Sequence, residues 1–212
     1  MQRAFKGVVL SVVIILCVVE FSPASFGQNS PITVSVFSDV PVPRDLLDSA
    51  ERRAGQIFSV AGVEITWINC TQAADTGPRP ACTRDYGPDD FVLRITSHVS
   101  RVTSDAAFGV AFLGSNGRGR YADVFWKRAQ ELDPHSSPRL DRILGSVMAH
   151  ELGHLLLGLH SHSVTGVMRA HWGSNELRCI DMGALYFLPE QGKRMRARIA
   201  ESTSALISSR TR

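Results

Sequence analysis

Residues 150–154 read His-Glu-Leu-Gly-His and lie within a segment, 140–157, whose apolar residues predict a long helix. In a helix, side chains four residues apart lie above one another, so His150 and His154 direct two imidazoles at one point. Neighbouring ligands of a tetrahedral zinc ion need that geometry. Glu151 is placed to bond a zinc-bound water and accept its proton. The segment predicts a zinc site with His150 and His154 as ligands and Glu151 as general base.

The same five-residue pattern also occurs by chance on surface helices. Here, however, the helix has an apolar body that includes Ile143, Leu144 and Val147. Two histidines and a glutamate without partners would be costly beside such a core. The apolar surroundings therefore favour a metal site over a chance match.

The residues after the helix extend the pattern. Gly158 is suited to end the helix in a left-handed conformation, and His160, His162 and the sequence Val-Thr-Gly-Val-Met at 164–168 follow it. In this stretch the chain resembles the metzincin superfamily of zinc peptidases, whose signature is HExxHxxGxxH followed by a turn with a methionine beneath the metal. The resemblance implies Zn²⁺ as the cofactor and Met168 as the turn methionine.

Two histidines compete for the place of third zinc ligand. His160 keeps the spacing of the signature, but the glycine expected at Leu157 is displaced by one residue to Gly158. One extra helical residue turns the chain by about 100° and lengthens the helix by about 1.5 Å. His162 lies four residues past the glycine and has more chain in which to return, so it is favoured, with His160 as the alternative. The same run also resembles a group of short secreted metzincin-like proteins.

The amino-terminal segment is typical of a secretory signal. A basic start precedes an apolar run of 13 residues, 7–19, and small residues follow. Because a membrane-spanning helix needs roughly 20 apolar residues, residues 1–27 are predicted to be a signal peptide cleaved near Gly27. Cleavage after Ala24 and an uncleaved membrane anchor are the alternatives. The mature protein is expected to be secreted or periplasmic, without stable membrane association.

Export would place the chain in an oxidising compartment, where disulfides persist. Cys17 falls within the predicted signal, which leaves three of the four cysteines. Cys70 and Cys82 bracket a loop rich in proline and glycine and are the favoured pair. Cys179 is then left unpaired.

The remaining chain alternates between patterns of period two, which indicate strands, and helical spacing. The predicted elements are strands at 32–37, 63–68, 91–95, 108–113 and 121–126, and helices at 44–60, about 140–157 and about 189–200. A polar, proline-bounded stretch at 127–138 leads into the second helix, and an irregular segment separates the last two helices. This order predicts one α/β (α+β) domain over residues 28–212. It resembles the metzincin fold: a mixed, twisted sheet of about five strands packed on two long helices, with a small C-terminal helical subdomain.

The motif and the resemblance together imply a secreted zinc-dependent endopeptidase that acts on protein or peptide substrates. A net charge of +3, with no basic run interleaved with aromatics, argues against a nucleic-acid partner. The resemblance suggests that the strand at 121–126, or the strand before it, is an edge strand that binds substrate through its backbone. His171 and Trp172 follow Met168 and either line the cleft or, as is favoured, the floor of the core.

Three other functions are compatible with these residues. In a zinc peptidase of another clan, a downstream glutamate such as Glu176 or Glu190 would be the third ligand. A non-catalytic secreted zinc-binding protein would keep the site, although a purely structural site would not need Glu151 and would usually have four protein ligands. A binder of small apolar ligands would leave the histidine cluster unexplained. His98 and His135 are expected to be surface residues, and the sequence makes no prediction of oligomeric state.

Overall fold

The structure, a computed structural model, describes residues 30–70, 80–98, 107–132 and 140–210. The predicted signal peptide at 1–27 and His135 lie outside these ranges, so both predictions stay as they were. None of the helices in the described part of the chain has the length and apolar content to cross a membrane.

The described residues form five strands, five α-helices and a short 3₁₀ turn at Pro80–Cys82. In chain order the strands and α-helices are β1 (Ser30–Ser38), α1 (Arg44–Val60), β2 (Val63–Asn69), β3 (Asp90–Thr96), β4 (Gly109–Phe112), β5 (Tyr121–Phe125), α2 (Trp126–Glu131), α3 (Leu140–Leu157), α4 (Ser174–Asp181) and α5 (Pro189–Arg210).

One mixed sheet, in the order β2-β1-β3-β5-β4, forms the centre of the fold. Neighbouring strands are parallel except for β4, which pairs antiparallel with β5 at the edge. The helices α1 and α3 pack on each other and against the sheet. Alternate strand residues such as Val34, Val36 and Leu93 are fully buried in the core, because successive side chains of a strand point to opposite faces. This arrangement holds α3 firmly below the edge strand.

The helices α1 and α3 begin and end where the sequence predicts. The prediction missed the short helices α2 and α4. The polar stretch at 127–138 begins within α2, where Ala129 is buried and an Arg128–Glu131 ion pair of 2.7 Å spans one turn. The irregular segment predicted after α3 contains α4, which buries Ile180 and whose first turn is capped by Glu176 bonding the Gly173 N–H. Both helices are too short for a clear apolar period.

The closing helix continues ten residues beyond the end predicted near Ala200. Serine and threonine are weak helix formers, which is why the polar stretch after Ala200 predicts an end. In the structure, the hydroxyls of Ser202, Thr203 and Ser204 donate hydrogen bonds to carbonyl oxygens four residues earlier. These bonds occupy the hydroxyls within the helix instead of in competing local turns.

The strand β4 lies at one edge of the sheet, whereas the strand predicted at 121–126 does not. The strand β5 lies between β3 and β4, so its backbone is paired on both sides. Of the two strands that the resemblance suggested for substrate binding, the earlier one alone has an edge that no other described strand pairs with. The first of these two suggestions is therefore wrong.

A disulfide joins Cys70 and Cys82, as predicted, and Cys179 is a free, half-buried cysteine. The bridge spans a sequence separation of 12 residues and ties the end of β2 to the 3₁₀ turn.

Replacing Cys70 and Cys82 by serine together should lower the free energy of unfolding by about 3 kcal/mol, because a closed loop of this length restricts the unfolded chain by about that amount. Urea unfolding of the oxidised protein measures the difference, and Cys179→Ser is the matched control, with a change expected below about 0.5 kcal/mol. An equal loss in the control would contradict this account.

Candidate metal centre

Three histidines converge beside the second half of α3. His150 and His154 lie one helical turn apart, with their Nε2 atoms 3.1 Å apart. His162 comes from the segment after the helix, and one ligating nitrogen from each of the three imidazoles lies within 4.8 Å of the other two. Among the described residues, this group of three histidines can hold a metal ion.

Hydrogen bonds from the Nδ1 side orient the two helical imidazoles. His150 Nδ1–H donates to the Val167 carbonyl oxygen at 2.7 Å, which leaves His150 Nε2 as a bare acceptor. His154 Nδ1 lies 2.7 Å from the hydroxyl oxygen of buried Ser161. A hydroxyl can donate or accept, so Ser161 can accept the Nδ1 proton and free His154 Nε2 to bind a metal. The sequence analysis did not identify Ser161, although its place between two candidate ligands was a signal.

The chain reverses direction directly after α3. Gly158 has φ +80° and His160 has φ +54°, so two nearby residues are left-handed. His160 is exposed and lies outside the histidine cluster, whereas His162 lies within it. The chain therefore reaches the cluster at residue 162, four residues past Gly158, and not at residue 160.

A tight turn lies beneath the cluster. The Ser163 N–H bonds the Met168 carbonyl oxygen at 2.9 Å, and the Val167 N–H bonds Tyr186. Met168 is fully buried, and a Cβ at Gly153 would lie 2.6 Å from its sulfur. A side chain at residue 153 would displace Met168 or the Phe187 ring, so Gly153 lets the helix lie close to both.

Burial controls the charge of the site. Burial lowers the pKa of His150 to about 4, with His162 contributing and the Val167 hydrogen bond opposing the shift. Burial also lowers the pKa of His154 to about 3, helped by His150 and His162, and lowers the pKa of His162, helped by His171. The imidazoles are therefore neutral near pH 7, which is the form that binds metals.

The side chain of Glu151 extends from α3 toward the strand β4. Burial, and to a smaller extent Asp123, raises the pKa of Glu151 to about 8. Its Oε1 atom is buried and has no hydrogen-bond partner among the described residues. A Cβ at Gly109 of β4 would lie 2.8 Å from the Glu151 side chain, so the strand approaches the carboxyl group as bare backbone. The sequence analysis missed Gly109, because a single strand glycine gives no indication of its neighbour.

A cleft of about 270 Å³ runs between β4 and the histidine cluster. Gly109, Val110 and Ala111 of β4 form one wall, and Glu151 and the three clustered histidines contribute polar groups. Among the described strands β4 pairs with β5 alone, so within this part of the chain the other edge of β4 faces the cleft beside the cluster unpaired.

The structure separates the other candidate residues from the cluster. Glu176 forms an ion pair of 2.6 Å with Arg169 and also caps the start of α4. Glu190 is exposed in the first turn of α5. His98 is exposed at the end of β3. His171 is exposed and lines the cleft, which differs from the favoured prediction, whereas Trp172 is buried in the core against Phe108, as favoured.

Replacing Ser161 by alanine should weaken metal binding at the cluster, tested with Zn²⁺ as the probe, by about 10-fold to 100-fold, because losing an outer partner of a metal-binding histidine typically has that effect. The His154 imidazole would lose its only oriented partner on the Nδ1 side. Competition with a chromophoric chelator measures the affinity, and Ser59→Ala, at an exposed serine of α1, is the control. Equal affinities in the two variants would contradict a role for Ser161.

The sequence matches no protein-family profile and no curated protein sequence. Among solved structures, the fold is similar to that of archaemetzincin from Methanopyrus kandleri, with a TM-score of 0.53 and 21% sequence identity over 82% of this chain and 99% of that chain. Similarity at this level of identity shows the fold. The predicted fold class is therefore confirmed: this is a metzincin-like α/β fold with a five-stranded mixed sheet.

Proposed function

We propose that this protein is a secreted or periplasmic zinc-dependent endopeptidase, with His150, His154 and His162 as metal ligands and Glu151 as general base. The observation that carries the proposal is the convergence of three imidazole nitrogens within 4.8 Å beside a buried glutamate. The metzincin-like fold supports the same assignment, and so does the position of Met168 beneath the helix as the turn methionine.

The residues present fit a zinc ion. Tetrahedral nitrogen ligands at 2.0–2.1 Å from zinc lie about 3.3 Å from one another, close to the 3.1 Å between the Nε2 atoms of His150 and His154. The ligating nitrogen of His162 lies within 4.8 Å of the other two. Since His162 is exposed, its side chain can rotate to bring that nitrogen closer to them. Neutral imidazoles are ligands that suit zinc.

A zinc ion held by these three histidines would supply a Lewis acid, which would polarise the scissile carbonyl and make a water molecule a stronger acid near neutral pH. The positive charge of a metal ion held by the adjacent histidines would lower the pKa of Glu151 from the value of about 8 that burial gives it without metal, so that it is a carboxylate in the metal-loaded protein. Glu151 then takes a proton from the attacking water, which its unpartnered Oε1 is free to accept through a hydrogen bond. The water oxygen bonds to the carbonyl carbon, the C–N bond breaks, and Glu151 passes the proton to the leaving amine. The free edge of β4 holds the substrate backbone in an extended form.

The proposed location is supported by the sequence at the amino terminus and by the Cys70–Cys82 bridge. Structural disulfides persist in oxidising compartments and are rare in the cytosol. The bridge therefore agrees with export, for which residues 1–27 supply the proposed signal.

The test is to express the full-length chain in a secreting host, purify the exported protein and measure two quantities. Elemental analysis should find about one zinc per chain, and incubation with a mixed peptide library should yield products identified by mass spectrometry. Treatment with a zinc chelator should stop cleavage, and added zinc should restore it. A protein that holds zinc but cleaves no peptide would reject the peptidase assignment, and a protein that binds no zinc would reject the metal site itself.

A further inference from the structure

The cleft beside the histidine cluster contains one polar side chain to which the proposed reaction has not yet given a role. Its described lining otherwise consists of apolar residues, of glycine, and of Glu151 and the three clustered histidines. The remaining polar side chain is that of His171.

Hydrolysis of a peptide bond places negative charge on the carbonyl oxygen. Hydrogen-bond donors that are fixed in position before the reaction stabilise this charge strongly in a site that excludes water. A carboxylate that acts as base cannot supply such a donor. In His150 and His154 the second ring nitrogen faces a partner in the protein, and in His162 a ring nitrogen that binds metal leaves the other N–H directed away from the metal. Among the described side chains of the cleft, His171 is the one whose N–H belongs neither to a proposed metal ligand nor to a hydrogen bond within the protein.

The backbone at residue 171 is held from both sides. Trp172 is 8% exposed and packs against Phe108 with ring centres 4.6 Å apart. Arg169 pairs with Glu176 at 2.6 Å, and the same carboxylate accepts the Gly173 N–H at 2.9 Å. The two neighbouring attachments fix the position of the main chain.

The His171 imidazole itself is exposed and makes no hydrogen bond to another described residue. It also lines an adjoining cavity of about 220 Å³ with Phe108 and Trp172, so it stands where the cleft meets a second recess. A peptide in the cleft would contact this ring. The anchored backbone fixes where the ring is attached, and a bound peptide would cover the exposed imidazole, exclude water from it and give its N–H a partner.

We propose that His171 is a catalytic residue whose imidazole N–H donates a hydrogen bond to the scissile carbonyl oxygen as negative charge develops on it. The inference rests on the proposed function. His171 gains and loses no proton in the reaction, because Glu151 carries the proton from water to the leaving amine. The hydrogen bond strengthens in the transition state, so its main effect is on kcat and not on KM.

The experiment compares wild type, His171→Ala, His171→Gln and the control His98→Ala, which replaces an exposed histidine at the end of β3. The substrate is a fluorogenic peptide built from a sequence that the wild type cleaves. We expect His171→Ala to lower kcat by about 100-fold, with KM within about threefold of wild type. His171→Gln should recover part of the loss through its amide N–H, and His98→Ala should match wild type. Zinc content and thermal midpoint should be the same in all four proteins.

A phosphinic peptide of the same sequence provides a readout that does not depend on turnover. Its tetrahedral group resembles the charged transition state, so His171→Ala should bind it about 100-fold more weakly than wild type. A kcat within threefold of wild type, a loss of zinc or a lowered thermal midpoint in His171→Ala would overturn the inference and leave the peptidase assignment intact. A wild-type protein that cleaves no peptide would instead reject the proposed function on which the inference rests.

Discussion

Replacing Glu151 by glutamine should lower kcat/KM by about 100-fold to 10,000-fold while zinc content stays unchanged. General bases contribute about 10²-fold to 10⁴-fold, and an amide cannot accept the proton of the attacking water. The side chain keeps its size, so the packing against Gly109 is preserved. Cleavage of the fluorogenic peptide measures the rate, and elemental analysis measures the zinc.

Stability measurements separate this loss of activity from a loss of structure. Burial raises the pKa of Glu151 from its ordinary value of 4.5 to about 8 in the metal-free protein. The folded state disfavours the charged form of Glu151, so the free energy of unfolding is highest below about pH 4.5, where the group is neutral in both states. It falls as pH rises from there, and this contribution is lost once pH has passed 8. Glutamine remains neutral, so the metal-free Glu151→Gln variant should be at least as stable as wild type at pH 8–9 in urea.

Glu201→Gln is the matched control for this prediction, since Glu201 has 70% of its side chain exposed and lies on α5. It should retain wild-type activity. A Glu151→Gln protein that keeps more than a tenth of the wild-type kcat/KM would contradict the assignment of Glu151 as general base.

The long elements could be predicted because each has a repeated local signal. Helix α1 shows apolar residues at helical spacing, and left-handed Gly62 follows its end. Helix α3 has the same kind of stop at Gly158. The strand order of the sheet could not be predicted, since the position of β5 between β3 and β4 depends on pairing between segments that are far apart in sequence.

The candidate site also combines features that the sequence predicts with contacts that it does not. The spacing of His150 and His154 is a property of one helix, so the sequence alone places their side chains on one face. The contact of Gly109 with Glu151 and the hydrogen bond from His150 to Val167 join separate segments. No local pattern encodes those contacts, and only the folded chain shows that the edge strand touches the carboxyl group.

The choice between His162 and His160 as the proposed third zinc ligand can be tested directly. His162→Asn should weaken zinc binding by at least about 100-fold, more than the loss of an outer partner causes, because an imidazole in the cluster is removed. His160→Asn should change the affinity by less than about threefold, because the side chain of His160 is exposed and outside the cluster.

Asparagine suits both positions for a structural reason. His160 has φ +54°, and asparagine tolerates this left-handed conformation better than most residues do. The His160→Asn variant therefore should not lose metal through misfolding of the return segment. Chelator competition on both proteins decides the assignment: if His160→Asn is the variant that loses zinc, the chain returns to the metal at the spacing of the signature, and the extra helical residue before Gly158 does not displace the ligand.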